Sequence, residues 1–358
     1  MIVRRAENVI EWGRLPAPPG ATYSEPRTFP FSLPRSVPPA MRLCRFSDAG
    51  VSRSAFYTEQ SLVPIAAAAA EYTRQTGQAL AIPASDELLP LLPGGDARDA
   101  ARQLSLWLAG PGQSTAARLT LATAQAQLLV PIPRPNKLLL LAGNYADHIR
   151  EGGGIAAERA ETFPYVFMKP PSTTLTHPGQ PITIPAISPN AIDWELELAV
   201  VIGRRVKGIG EAAALSAVAG YTVINDISNR KFRPNPQRKE RPKDSFFDWL
   251  HGKWHDSFCP CGPCVTSADA IADPQQLPMH LKLNDQVRQN ASTGLMIFPV
   301  AALIEFISSF VTLEPGDIIS TGTPAGVGSS TGTFVKPGDT LTAHIDQIGT
   351  LVTPVQGE

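Results

Sequence analysis

Residues 193–202 (DWELELAVVI) predict a β-strand that brings acidic side chains to the edge of a hydrophobic core. Apolar and acidic residues first alternate with the period of two that is typical of a strand, and an apolar run follows. Glu195 and Glu197 therefore project from one face, about 6.5–7 Å apart along the strand. Two carboxylates at this spacing either converge on one divalent cation or belong to a solvated strand face, because charged residues are mostly exposed.

The composition indicates a globular protein with a large core, since 43% of the 358 residues are hydrophobic and 18% are charged. Lysine and arginine number 31 against 32 acids, a balance that argues against nucleic acid or an anionic membrane as partner. The first residues lack an apolar signal core, and no run of 18 apolar residues occurs. The four cysteines do not form a disulfide framework, so we expect a cytoplasmic protein.

The N-terminal part of the chain predicts two regions. Residues 1–38 are rich in proline, which is typical either of an irregular arm against a neighbouring domain or subunit or of a disordered segment. Residues 39–130 predict a small α+β domain that starts with a pair of strands within residues 40–65. Its predicted helices are residues 66–76 and residues 96–108, the latter with Asp96 as N-cap.

The predicted catalytic domain spans residues 131–358, after a proline-stiffened connector. Short apolar runs broken by glycine and proline indicate many strands, and clear helical periodicity is limited to residues 210–218 and 299–310. We expect a mostly β domain with a few helices.

Residues 143–151 (GNYADHIRE) place polar side chains where the first strand of this domain passes into a short helix. His148 and Glu151 lie three residues apart and share one face of that helix. A carboxylate bonded to imidazole selects its tautomer, which suits a general base. The alternative is an ordinary surface pair.

Asp226 lies at the end of the strand predicted over residues 220–226 and adds a third carboxylate. Together with Glu195 and Glu197 it supplies hard oxygen ligands, which suit Mg²⁺, Mn²⁺ or Ca²⁺ rather than zinc. Alternatively, Asp226 only caps a turn.

Two further segments have alternative interpretations. Residues 320–328 (STGTPAGVG) lack the Gly-Lys-Ser/Thr of a phosphate loop, and the segment either binds a carboxylate through its amides or is a surface turn. Residues 255–264 contain one histidine and three cysteines, which are either zinc ligands or buried thiols. The short span of these four residues favours buried thiols.

The ordered set of motifs resembles the fumarylacetoacetate hydrolase family over roughly residues 130–358. Each motif is weak alone, whereas the set in this order is specific. The matching segments are residues 143–151, 168–170 (MKP), 193–198, 220–230 (GYTVINDISNR), 252–263 (GKWHDSFCPCGP) and 320–328.

The resemblance implies an α+β, mostly β fold, with a mixed β-sandwich or β-roll catalytic domain and a small α+β N-terminal domain. It implies a homodimer with a divalent metal, Mg²⁺ or alternatively Mn²⁺ or Ca²⁺, in each active site. The implied partner is a small-molecule 2-oxo acid substrate.

The resemblance also implies roles for individual residues. Glu195, Glu197 and Asp226 match the metal ligands of the family. His148 and Glu151 match a catalytic dyad on a lid segment, and Lys253 completes the catalytic set. The implied substrate contacts are Arg230, Thr323, Lys169 and Arg233.

Two departures from the family concern the substrate. Residues 230–233 (RKFR) stand where the family often has Arg-Asp-x-Gln, so Arg233 replaces a glutamine that touches substrate in some members. Residues 231–250 form a basic segment interrupted by prolines.

The reaction expected from the resemblance is hydrolysis of a C–C bond in acylpyruvate-like 2,4-diketo acids, through an enolate that the cation stabilises. An oxaloacetate-type decarboxylase and a 2-hydroxydienedioate isomerase remain alternatives, because both need the same enolate. A metal-binding scaffold without turnover is a further alternative, against which the His148–Glu151 pair argues.

Overall fold

The computed structural model describes residues 40–358, where strands contribute more residues than helices. The segment predicted over residues 1–38 lies outside the described residues. The strands are β1 Arg42–Asp48, β2 Val51–Tyr57, β3 Ser61–Pro64, β4 Leu121–Ala122, β5 Gln127–Leu129, β6 Leu138–Ala142, β7 Tyr165–Met168, β8 Leu175–Thr176, β9 Ile182–Ile184, β10 Ile192–Asp193, β11 Leu196–Ile202, β12 Val218–Asn225, β13 Ser228–Asn229, β14 Cys259–Ser267, β15 Pro278–Leu283, β16 Gln286–Ser292, β17 Ile318–Ser320, β18 Thr340–Ile345 and β19 Gly349–Gly357.

The helices are short and lie between the strands, so the predicted α+β class with an excess of strand is confirmed. They are α1 Ile65–Thr76, α2 Arg98–Ala109, α3 Gln113–Leu119, α4 Ala146–Glu151, α5 Pro171–Thr174, α6 Glu211–Ala214, α7 Asp244–His251, α8 Val300–Phe310 and α9 Gly328–Thr331. None of these helices is long and apolar enough to cross a membrane.

A twelve-stranded sheet organises the described residues, with the order β4-β3-β2-β1-β14-β12-β11-β17-β6-β7 and with β5 and β8 paired beside this path. Strands from both sides of residue 130 share this sheet, because β1 pairs with β14. The division into two domains at that residue stays a prediction. A five-stranded sheet of order β16-β15-β18-β19-β9 and the small β10-β13 pair complete the β-structure.

The strand predicted from residues 193–202 is buried on both of its faces. Leu198 and Val200 pack into one hydrophobic cluster, whereas Ala199 and Val201 pack into another on the opposite side of the sheet. The alternative of a solvated face is therefore wrong for Glu195 and Glu197, which are also buried. Since β11 lies between β12 and β17, neither of its edges is open to water.

Local predictions in the N-terminal region are largely confirmed. Helices α1 and α2 lie within two residues of the predicted bounds, but Asp96 is not the N-cap, since α2 begins after Ala97 without a side-chain cap. The sequence predicted two strands within residues 40–65, whereas the structure has three. The additional strand, β2, lies between β1 and β3 and pairs with both. The first half of β2 is polar and exposed, so the sequence shows no apolar run that would have predicted this strand.

The cysteine-rich segment forms the buried strand β14 and not a zinc site. All four cysteines of the protein are free and buried. Burial raises the pKa of both Cys259 and Cys264 to about 12, so these thiols stay protonated. Within residues 40–358, the group of metal-ligating side chains close enough to share an ion is a different one, formed by three carboxylates.

Candidate metal centre and active site

Three buried carboxylates meet where β11 and β12 run side by side. Glu195 precedes β11, Glu197 lies within it, and Asp226 follows β12, whose last residue is paired with Leu196. The Asp226 amide donates to the Glu195 carbonyl oxygen at 2.8 Å, which places the two residues opposite each other. One oxygen from each of the three carboxylates lies within 4.8 Å of the others.

Glu197 offers the clearest test of whether this group fits a metal ion. Its Oε2 accepts hydrogen bonds from the Ser320 hydroxyl at 2.5 Å and the Gly322 amide at 2.9 Å. Its Oε1 is buried without a partner among the described residues. Burial, reinforced by the charges of Asp226 and Glu195, raises the pKa of Glu197. A hard divalent cation would satisfy the free oxygen and relieve this repulsion, so the residues fit Mg²⁺, Mn²⁺ or Ca²⁺.

Lys253 and Arg230 surround the acids with positive charge. The Lys253 ammonium lies 2.7 Å from Glu195 Oε2 and 2.6 Å from Asp226 Oδ2. Arg230 donates to Glu195 Oε1 at 2.5 Å. Burial opposes the ionisation of Glu195, but the charges of Lys253 and Arg230 outweigh it and hold its pKa well below the ordinary value. Glu195 is therefore an anion that these two residues stabilise.

Lys169 directly follows β7 and contacts the acidic cluster through Asp226. Its buried ammonium lies 2.5 Å from Asp226 Oδ1 and donates to the carbonyl oxygens of Ile227 at 2.9 Å and Phe258 at 2.6 Å. All three protons of the ammonium are thus used within the protein. In this conformation Lys169 positions Asp226.

The His148–Glu151 contact expected from the sequence is present in α4. His148 Nδ1 lies 2.8 Å from Glu151 Oε1, and Glu151 Oε2 accepts from the Gly326 amide at 2.9 Å. Glu151 is therefore held between the imidazole and the glycine-rich segment. His148, Glu151 and Arg230 line one cavity of about 490 Å³, and Arg230 also donates to Glu195 of the acidic cluster.

Asp193 is a member of the site that sequence reasoning missed. Its Oδ1 accepts from the amides of Trp194 at 2.8 Å and Gly328 at 2.6 Å. Its Oδ2 accepts from the Ser329 amide at 3.0 Å and from Arg230 Nε at 2.8 Å. The period of two of a β-strand could have identified Asp193 as a site residue, because it places Asp193 on the same side as Glu195.

The glycine-rich segment 320–328 is not a surface turn. Its backbone amides bind the protein's own carboxylates, through Gly322 to Glu197 and Gly326 to Glu151. Thr323, an implied substrate contact, donates its hydroxyl to the Leu196 carbonyl at 2.9 Å and accepts from Gln289 at 2.8 Å. The hydroxyl proton of Thr323 is therefore already donated to a group of the protein itself.

Arg233 is the one predicted substrate contact that the structure does not bring to the cluster. Its side chain is 46% exposed and lies 2.6 Å from Glu240, which is also exposed. The segment between β13 and α7 carries it along the surface. A substrate contact by Arg233 stays a prediction.

A buried acidic triad, ringed by three cations and connected to a His–Glu pair, defines an enzyme site suited to a hard cation. Residues 137–356 match the family described as fumarylacetoacetate (FAA) hydrolase, C-terminal. The chain belongs to this family and is one of its enzymes.

Named relatives of the chain catalyse different reactions. A mitochondrial oxaloacetate tautomerase from Xenopus laevis is 39% identical over 237 residues, which cover 66% of this chain and 70% of the relative. A 2,4-didehydro-3-deoxy-L-rhamnonate hydrolase from Sphingomonas sp. is 38% identical over 246 residues, 68% of this chain and 81% of the relative. The crystal structure of maleylpyruvate hydrolase from Sphingobium sp. SYK-6 with manganese(II) and pyruvate superposes with a TM-score of 0.63 at 30% identity, covering 88% of this chain and 99% of that one.

Proposed function

We propose that this enzyme is a divalent-metal-dependent hydrolase that cleaves a C–C bond in acylpyruvate-like 2,4-diketo acids. The observation that carries the proposal is the unpartnered Glu197 Oε1 within the carboxylate triad, together with the His148–Glu151 pair, which lines a cavity with Arg230. We further propose Mg²⁺ or Mn²⁺ as cofactor and a cytoplasmic homodimer as the working form. The free, buried cysteines agree with a reducing compartment.

The charge of the cluster supports an anionic substrate. Four carboxyl groups, from Asp193, Glu195, Glu197 and Asp226, face three cationic side chains, from Lys169, Arg230 and Lys253. A bound divalent cation would favour the ionised form of Glu197 and add two positive charges to the cluster, so the loaded site would attract the carboxylate of a 2-oxo acid. The related maleylpyruvate hydrolase, whose structure holds manganese and pyruvate, fits the same substrate class.

The residues around the cavity supply the remaining chemistry. A cation held by Glu195, Glu197 and Asp226 would polarise the 2-oxo group and stabilise negative charge on its oxygen. His148, oriented by Glu151, takes a proton from water, and the hydroxide attacks the distal carbonyl carbon. When the C–C bond breaks, its electron pair stays with the pyruvate fragment, which takes up the proton held by His148, and the acyl group leaves as a carboxylic acid. Lys253 and Arg230 add positive charge beside the developing anion.

A proton transfer without cleavage is the second candidate, since one relative is an oxaloacetate tautomerase. The same His148–Glu151 pair would move a proton between carbon and oxygen of a 2-oxo acid, and no water would attack. Decarboxylation likewise needs no attacking water.

A panel of acylpyruvates, oxaloacetate and 2-hydroxydienedioates, assayed with the purified protein, separates these functions. We expect acylpyruvate cleavage that EDTA abolishes and that Mg²⁺ or Mn²⁺ restores. Turnover of oxaloacetate or a dienedioate without acylpyruvate cleavage would replace the hydrolase with the corresponding alternative. Metal binding without turnover of any substrate would indicate the scaffold.

The variant His148→Ala tests the role of the base. We expect it to abolish hydrolysis while leaving Mn²⁺ affinity unchanged, because His148 is outside the carboxylate triad. Glu195→Ala is the complementary variant and should lose Mn²⁺ binding. Normal metal binding by Glu195→Ala would refute the assigned metal site.

A further inference from the structure

Gln289 is a buried polar residue of the smaller sheet that contacts the strand carrying two acids of the triad. It lies in β16, an edge strand of the five-stranded sheet, and it is the buried residue among the seven of this strand. The apolar Val287 of the same strand is instead 54% exposed. Burial of an amide is costly unless its hydrogen bonds are satisfied. The partners that Gln289 finds inside the protein therefore indicate why a polar side chain is buried at this position.

The Gln289 amide forms a closed set of hydrogen bonds with two other segments. Its Oε1 accepts from the Leu196 amide at 3.0 Å. Its Nε2 donates to Thr323 Oγ1 and to the Pro324 carbonyl oxygen, each at 2.8 Å. Thr323 in turn donates its hydroxyl to the Leu196 carbonyl oxygen at 2.9 Å. Both amide protons and the oxygen of Gln289 are thus used, which fixes the orientation of this side chain.

These contacts hold the backbone between Glu195 and Glu197. The Leu196 amide belongs to the peptide group shared with Glu195, and the Leu196 carbonyl belongs to the one shared with Glu197. Among residues 40–358, β17 pairs with β11 over residues 199–201, so at Leu196 side chains take the place of a neighbouring strand. Because both peptide groups beside Leu196 are bound in this way, a shift of Gln289 would move both carboxylates.

A β-bulge directs Gln289 toward the site. The pairing of β15 with β16 skips Arg288, which is an extra residue between Val287 and Gln289. Bulges are common next to active sites, where they change the direction of a side chain. Gly326, whose amide binds Glu151, packs directly on this bulge, because a Cβ at Gly326 would lie 2.1 Å from the Arg288 carbonyl oxygen. The bulge therefore contacts both parts of the candidate site.

We propose that Gln289 is a positioning residue of the active site. It sets the separation of Glu195 and Glu197 through Leu196, and it holds the glycine-rich segment 320–328 where Gly326 binds Glu151. Groups that orient metal ligands from outside the ligand set typically change metal affinity or activity 10- to 100-fold when they are removed. The inference rests on the proposed metal site, but it does not depend on which 2-oxo acid is the substrate.

The variant Gln289→Met tests this role in the full-length protein. Methionine keeps the length of the side chain and removes all three hydrogen bonds. We expect Mn²⁺ affinity, measured by calorimetry without substrate, to fall about 10-fold or more. We expect kcat for acylpyruvate cleavage to fall as well, because Glu151 loses part of its support.

The control Gln275→Met removes a matched set of contacts away from the triad. Gln275 Oε1 accepts from the Val300 amide at 2.8 Å, and its Nε2 donates to the Thr293 carbonyl oxygen at 2.9 Å. We expect both variants to melt at a lower temperature than the wild type, since each leaves backbone groups without a partner. Mn²⁺ affinity should fall in Gln289→Met and remain unchanged in Gln275→Met.

The variant Thr323→Val breaks the same set of hydrogen bonds on its other side, and it keeps the test decisive if Gln289→Met does not fold. Loss of the hydroxyl frees the Leu196 carbonyl and removes an acceptor of Gln289. We expect Mn²⁺ affinity to fall again. Thr323→Ser retains the hydroxyl and should retain the wild-type affinity, a rescue that a loss of packing alone would not produce.

The outcomes separate the positioning role from the other proposals. Wild-type Mn²⁺ affinity in Gln289→Met, or in Thr323→Val where Gln289→Met does not fold, would overturn the inference and leave the metal site intact. An equal loss of affinity in Gln289→Met and Gln275→Met would also overturn it. A wild type that binds no Mn²⁺ would overturn the metal site together with the inference. Mn²⁺ binding without acylpyruvate cleavage by the wild type would overturn the proposed reaction alone, because the affinities are measured without substrate.

Discussion

The Ser320 hydroxyl donates to Glu197 Oε2 at 2.5 Å, whereas Oε1 of the same carboxylate is buried without a hydrogen-bond partner among the described residues. Ser320 ends β17, which pairs with β11. Oxygen Oε2 is saturated by Ser320 and Gly322, so Oε1 remains free for a cation. The metal-binding proposal therefore depends on one identifiable atom.

The variant Glu197→Gln tests that atom. Its amide oxygen must replace Oε2 toward the two donors, so the amide nitrogen, which cannot bind a cation, takes the place of the unpartnered Oε1. We expect Mn²⁺ affinity to fall at least about 100-fold, measured by calorimetry. Glu240→Gln, at an exposed position, serves as control, and unchanged Mn²⁺ affinity in Glu197→Gln would exclude Glu197 as ligand.

The variant Glu151→Gln tests the His148 partner. If the carboxamide oxygen accepts from the Gly326 amide, its nitrogen can only donate to His148 Nδ1, which selects the tautomer protonated on Nε2 and removes the free base. We expect kcat for acylpyruvate cleavage to fall about 100-fold with Mn²⁺ affinity unchanged. Asp147→Asn on the same helix is the matched control, since Asp147 contacts only the exposed Arg150. A kcat that equals the wild-type value would remove Glu151 from the mechanism.

The variant Asp193→Asn tests the residue that sequence reasoning missed. An amide in place of the carboxylate leaves at least one of its four donors without an acceptor and loosens Arg230. We expect KM for the 2-oxo acid to rise about 10-fold with a smaller change in kcat, and the free energy of unfolding to fall by about 1–3 kcal/mol. The exposed Asp256→Asn is the control. A loss confined to stability would mean that Asp193 has only a structural role.

The variant Lys169→Met tests the support of Asp226. Removal of the ammonium leaves a buried carboxylate oxygen and two carbonyl groups without their donor. We expect the free energy of unfolding in urea to fall by about 3–5 kcal/mol. Lys336→Met, at an exposed position, should change it by less than about 0.5 kcal/mol. A small effect at both positions would contradict the assigned supporting role.

His177 predicts a dependence of stability on pH. Its Nδ1 accepts the Val130 amide at 2.9 Å, and burial together with the charge of Arg45 lowers its pKa. The unfolded chain then binds more protons below about pH 6.5, so stability falls as the pH drops through that value. His177→Asn retains an acceptor that does not titrate, and we expect a shallower decrease of the melting temperature between pH 7 and pH 5. An unchanged slope would assign the acid sensitivity to other groups.

Local periodicity predicted several elements well. Strand β11 and helices α1, α2 and α8 were evident because their side chains alternate with the strand or helix period over enough residues. The sequence did not predict strand β14, since its proline- and cysteine-rich segment resembles a metal-binding loop. Its extended conformation depends on pairing with β1 and β12. Pairing across the sheet, rather than propensity, places that segment.

The candidate site likewise combines contacts that local sequence predicts with contacts that depend on the fold. The contact between His148 and Glu151 follows from local sequence alone, because one helical turn brings residues three apart together. Local sequence also places Glu195 and Glu197 on one face of a strand. Folding of the whole chain, in contrast, places Asp226 opposite Glu195, brings Lys253 to both, and joins the amide of Gly328 to Asp193 across 135 residues of sequence. Such contacts depend on strand register and packing over long separations, which local patterns do not specify.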